Sequence, residues 1–168
     1  MARFIRLTSV LVFGIAAPLA AQRQRPASMD SLLQHLVGRW VMSGAVHAKP
    51  ATYTLDVARV LQGRFVQLHM TDVQQPPAYE ADVFIGVDSA GGSYVAHWLD
   101  NFGAAYSIPP ATGEARGDTI VLNFAYADGP FRDTFSYDPR ADTWHFRLEA
   151  GNAAGQWSLF ADYAVHRH

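Results

Sequence analysis

The chain has 168 residues, enough for one domain with a substantial core and short of a comfortable length for two. Its 13 Lys and Arg against 15 Asp and Glu argue against nucleic acid as a partner, and the absence of cysteine excludes a disulfide framework, a thiolate zinc site and a lipid-modified amino-terminal cysteine. Aromatic residues make up 12% and charged residues 17%, a balance that suits many half-buried strands better than a helical bundle.

Residues 1–21 read as a secretory signal peptide: Arg3 and Arg6 precede an apolar run from Leu7 to Ala17, and the small residues Ala20 and Ala21 stand before polar "QRQRP". The run is shorter than the roughly 20 residues of a spanning helix. Cleavage leaves 11 basic residues against 15 acidic ones, a formal charge of −4. The expectation is a periplasmic or secreted protein, off the membrane once cleaved, with a polar linker over residues 22–27 and a single domain over residues 28–168.

The stretch "SMDSLLQHLVG" predicts one short helix. Ser28 suits its cap, Asp30 the positive end of its dipole, and Leu32, Leu33, Leu36 and Val37 form one apolar face before Gly38 ends it. Its natural place is against the open end of a larger element.

From Arg39 onward the apolar period is two. Trp40, Met42, Gly44 and Val46 share one side, then Tyr53, Leu55 and Val57, then Val66, Leu68 and Met70 against Gln67, His69 and Thr71. The segments "AYEADVFIGVD", "GSYVAHWLD", "FGAAYSI", "DTIVLNFAYAD", "PFRDTFSYD", "DTWHFRLEA" and "GQWSLFADYAVHR" continue the series, separated by turn formers such as "DSAGG" and "DPRAD". About ten antiparallel strands follow. Long apolar strands offer edges for aggregation unless the sheet closes, so the pattern predicts a mainly β fold, an up-and-down β-barrel with one amino-terminal helix and room for a small ligand.

Several of these segments together resemble an uncharacterised bacterial domain family with a lipocalin-like, calycin-type barrel. The shared features are the Leu-x-Gly-x-Trp start at Leu36, Gly38 and Trp40, the "IGVD" turn at Ile85 to Asp88, the "WLD" at Trp98 to Asp100, and a last strand with an aromatic residue and Arg167. The likeness runs over residues 36–167 and implies a fold, because that family carries no assigned reaction. The sequence is also distantly similar to nitrobindin-like barrels, which hold ferric haem through a histidine on a late strand. Here the last strand has no histidine before His166, so no cofactor is expected and a haem or metal carrier is an alternative.

Among the seven histidines none forms a ligand-like pair on a helix. His35, His47, His69, His145, His166 and His168 are expected at the surface. His97 lies between Val95 and Leu99 on a strand whose other face carries Tyr94, Ala96 and Trp98, so it is either an interior imidazole or a surface one. In "LDNFG", Asp100, Asn101 and Gly103 are turn formers that close a strand and can present polar groups at a barrel mouth. Asp133 shares a strand face with Phe131, Phe135 and Tyr137, where a carboxyl needs a partner or a raised pKa. Tyr126, Tyr53 and His97 are the partners considered.

These residues predict a barrel that binds a small apolar or amphipathic molecule, with Trp40, Met42, His97, Trp98, Asp100, Asn101, Phe124, Tyr126 and Trp144 as lining or core. The alternative is an enzyme acting on a small hydrophobic substrate, with His97 as general base and Asp100 or Asp133 orienting it. No nucleophile elbow, Walker loop or dinucleotide fingerprint names a reaction.

Overall fold

The computed structural model describes residues 30–88 and 90–168; the expected signal peptide, linker and Ser28 lie outside them. A helix α1 (Ser31–Leu36) leads into ten strands: β1 (Gly38–Val46), β2 (Lys49–Val60), β3 (Phe65–Asp72), β4 (Glu80–Val87), β5 (Tyr94–Asp100), β6 (Ala111–Arg116), β7 (Thr119–Tyr126), β8 (Gly129–Asp138), β9 (Thr143–Gly151) and β10 (Trp157–Arg167). Each strand pairs antiparallel with the next in sequence, and β1 pairs with β10 from Trp40↔Arg167 to Val46↔Ala161, so the meander closes into a barrel. Closure leaves no unpaired edge among the described strands.

Alternation directs the side chains as expected. On β3, Val66, Leu68, Met70 and Asp72 are buried, while Gln67, His69 and Thr71 face outward. At the seam the β1 and β10 backbones approach so closely that a Cβ on Gly44 would stand 2.9 Å from the Asp162 carbonyl carbon, which only glycine avoids.

The helix stops one end of the barrel. Its amino-terminal cap is Asp30, whose carboxylate accepts from the Leu32 and Leu33 amides at 2.9 and 3.4 Å. Leu32, Leu33 and Leu36 are buried, and the Trp40 indole donates to the Leu36 carbonyl at 2.7 Å. Arg167 ties the far end of the chain to this stopper: its guanidinium donates to the carbonyls of Val37 (2.9 Å) and His35 (3.3 Å), pairs with Asp142 at 2.9 Å and lies 3.7 Å over the Trp40 ring.

Two expectations fail locally while the number of strands holds. "FGAAYSI" is a corner with a 3-10 turn at Ala104–Tyr106, because Gly103 turns at φ 93° and Pro109 and Pro110 lack the N–H groups a ladder needs. The tenth strand is instead β6, whose "ATGEAR" has little strand propensity and is held by its partners: five residue pairs to β7 and three to β5.

Candidate functional site

The barrel is solid at the helix end, where Leu33, Leu36, Trp40, Val66, Ile85 and Ile120 are fully buried. Towards the other end, side chains no longer fill the lumen, and a cavity of about 1010 Å³ opens between the loops. That volume lies at the upper end of the roughly 300–1,000 Å³ typical of small-molecule sites. Its depth is apolar, bounded by Leu55, Leu68, Val83, Phe135 and Phe146.

Aromatic rings gird the mouth in two arcs. On one side Phe160 meets Phe131 edge-on at 5.1 Å, and Phe124 stacks on Tyr126 at 5.2 Å. On the other, Tyr53 stands between Tyr163 and Tyr79 with ring centroids 5.8 and 5.9 Å away, and Tyr79 reaches Phe102 at 5.6 Å. Phe160 owes its place to a bulge between Leu159 and Ala161, which lets two successive residues of β10 face the lumen side.

Polar groups at the mouth are mostly paired. The Trp98 indole donates to the Tyr79 hydroxyl at 2.9 Å, and Tyr79 donates to Asp100 at 3.2 Å. Asp100 also accepts from the Phe102 amide at 3.0 Å, which forms the expected corner. Asp72 accepts from the backbone and side-chain nitrogens of Gln74 at 3.0 and 3.2 Å. Burial pushes the hydroxyls of Tyr53, Tyr79, Tyr126 and Tyr163 above the ordinary tyrosine value, so each is a neutral phenol across the physiological range.

Asp133 is different. It is 1% exposed on the inward face of β8, between Phe131 and Phe135, and both carboxyl oxygens lack a hydrogen-bond partner. Its neighbours in register are Leu122 of β7 and Leu148 of β9. Burial among apolar side chains raises its pKa well above the ordinary carboxyl value and favours the protonated form in the unliganded barrel. Tyr126 and Tyr53 line the same cavity without bonding to it, and Arg132 points outward to Glu149 at 2.7 Å.

Of the residues singled out from sequence, Met42, Trp98, Asp100, Phe124, Tyr126 and Asp133 line the cavity. Four do not. His97 is exposed on the outer wall with Leu99, because the inward face of β5 is taken by Tyr94, Ala96 and Trp98; an acid/base pair of His97 with Asp100 or Asp133 inside the barrel does not form. Trp40 and Trp144 face inward but belong to the filled end, where Trp144 packs 5.0 Å from Tyr137. Asn101 is exposed and braces the corner by donating to the Ala78 carbonyl at 3.2 Å. Among the described residues no group of three or more His, Asp or Glu side chains converges as a metal site would.

Tyr79, Tyr163, Asp72, Phe131 and Phe160 are cavity residues not assigned to the site from sequence. Asp72 continues the Val66, Leu68, Met70 alternation and Tyr163 that of Ala161 and Val165, so both were open to the same rule. Tyr79 immediately precedes β4 and continues the Ala81, Val83, Ile85 alternation, so it too was open to that rule, whereas Phe160 depends on the bulge and has no periodic signal.

The family described as "Protein of unknown function (DUF1579)" has a model that matches residues 25–167. No curated protein matches the chain.

Proposed function

Since the chain belongs to the DUF1579 family, whose description assigns no activity, we propose on physical grounds that it is an exported binding protein. It takes a small apolar or amphipathic molecule into the open half of the barrel. The observation that carries this is the cavity of about 1010 Å³ with its apolar depth and aromatic rim, in a barrel whose other end is stopped by α1. A void of that size in a chain this short exposes apolar rings to water without any packing gain, and an occupant removes that exposure. The signal-like residues 1–21 support export.

Native mass spectrometry of the full-length chain, expressed with residues 1–21 in place and recovered from the periplasm or medium, tests both parts. The expected result is a cleaved protein carrying an added mass that organic extraction removes. A chain retained in the cytoplasm overturns export, and an added mass that never appears with any lipophilic compound supplied overturns the binding role.

A further inference from the structure

We propose that the lumen selects a molecule with an apolar body and one protonatable amine, and that the Asp133 carboxyl receives the amine. This rests on the barrel being a container and adds the chemical class of its contents.

Four carboxyl groups line the cavity, those of Asp72, Asp100, Asp128 and Asp133, whereas its basic lining residues are Lys49 and His47 among the described residues. His47, in the turn between β1 and β2, and Lys49, the first residue of β2, are both exposed. Three of the carboxyls are engaged: Asp72 by Gln74, Asp100 by Tyr79 and the Phe102 amide, and Asp128 by the Tyr106 hydroxyl at 3.3 Å. The fourth, Asp133, is the most deeply buried and has no partner on either oxygen. A buried polar group in that condition is unfavourable until something bonds to it.

The titratable groups whose fields meet there are Tyr126 of β7 and Tyr163 of β10, both neutral, with Asp100 of β5 and Asp128 acting on the same Tyr126 hydroxyl. None supplies positive charge. An incoming ammonium does: Asp133 loses its proton to solvent and the ammonium donates a charge-assisted hydrogen bond to the resulting carboxylate. Phe124 and Tyr126 at the rim offer π faces to the same cation on its way in. A ligand carboxylate meets the opposite situation, four acids and no buried base. An alcohol can bond to Asp133 but gains neither the charge nor the cation–π term.

Decylamine, decan-ol and decanoic acid share one apolar chain and differ in the head group. Each is titrated into the protein against bound phenylnaphthylamine, an uncharged fluorescent reporter. The expected result is displacement by the amine at about tenfold lower concentration than by the alcohol, with the acid weakest. Asp133→Asn should bring the amine to the level of the alcohol in the same variant, and Asp133→Leu provides the same amine-to-alcohol ratio if the Asn variant does not fold. Equal displacement by amine and alcohol, preference for the acid, or an amine preference that survives in a folded variant overturns the proposal. In those cases the container role stands, because ligands still bind; failure of the reporter and of all three compounds to bind overturns both.

Discussion

The indole of Trp98 donates its N–H to the hydroxyl of Tyr79 across 2.9 Å, and so joins the end of β5 to a loop residue 19 positions earlier. The hydroxyl in turn donates to Asp100, which makes Tyr79 the pivot of a relay that holds the β3–β4 loop over one side of the mouth. Tyr79→Phe keeps the ring and removes both bonds, leaving a half-buried indole N–H unpaired. The expected loss is about 1–2 kcal/mol of stability in urea unfolding. An unchanged midpoint would show that the relay does not hold the loop.

Asp133 sets a pH dependence whose sign follows from its burial. Its folded pKa is raised, so between the unfolded value of about 3.9 and the folded value the native state holds a proton the unfolded chain has lost. The Asp133 contribution therefore destabilises increasingly as pH rises through that window. Asp133→Leu should stabilise the unliganded protein by about 1–3 kcal/mol at neutral pH, with the gain shrinking towards pH 4. Thermal unfolding of both proteins across that range checks it, and a gain independent of pH would contradict a protonated Asp133.

Met70 lies on the inward face of β3 and borders the cavity. Met70→Trp grows into free space rather than into neighbouring atoms, so the usual overpacking cost does not apply. The melting temperature should hold or rise while affinity for a lipophilic reporter falls by about tenfold or more, as read by fluorescence titration. Undiminished affinity would place the ligand elsewhere.

Arg167 joins β10 to α1 at the stopper, where it bonds the carbonyls of His35 and Val37 and covers Trp40. Arg167→Ala should cost about 1–2 kcal/mol, and Arg167→Lys should recover only part, since an ammonium cannot reproduce the planar fork and the stacking together. Amide exchange in residues 31–37 should accelerate in step with the loss. Protection equal to that of the native protein would show the latch to be dispensable.

On the outer wall Glu149 accepts from Arg132 at 2.7 Å and from Arg147 at 3.1 Å, and the Arg132 bond holds its carboxyl below the usual range. A depressed folded pKa contributes stability that is present above the unfolded value of about 4.3 and is lost as pH falls through the folded value. Glu149→Gln should therefore cost about 1 kcal/mol or less at pH 7 and nothing in strong acid. A cost that persists in acid would assign the effect to packing against Trp157, over which Arg132 lies at 4.3 Å.

Alternation along the chain was enough to specify a closed meander, nine of its ten strands, the inward faces of most of them and the one helix that stops an end. Period two is a local property: Leu68 and Met70 face one way because Gln67 and His69 face the other, whatever lies across the sheet. Phe160, placed by a bulge, escaped that rule. His97 was ambiguous because both faces of its strand are apolar, and neighbouring strands had to choose for it.

Depth along the barrel axis was not written in any local pattern. Trp40, Trp98 and Trp144 all sit on inward faces, yet Trp98 borders the cavity while Trp40 and Trp144 fill the stopped end. Pairing register, closure of β1 onto β10 and the seat of α1 fix that height, and each is a contact between residues far apart in the chain. The same long-range geometry leaves Asp133 inside with no partner: its alternation predicts the inward face, but which groups come within reach depends on the other strands that line the cavity converging at one level.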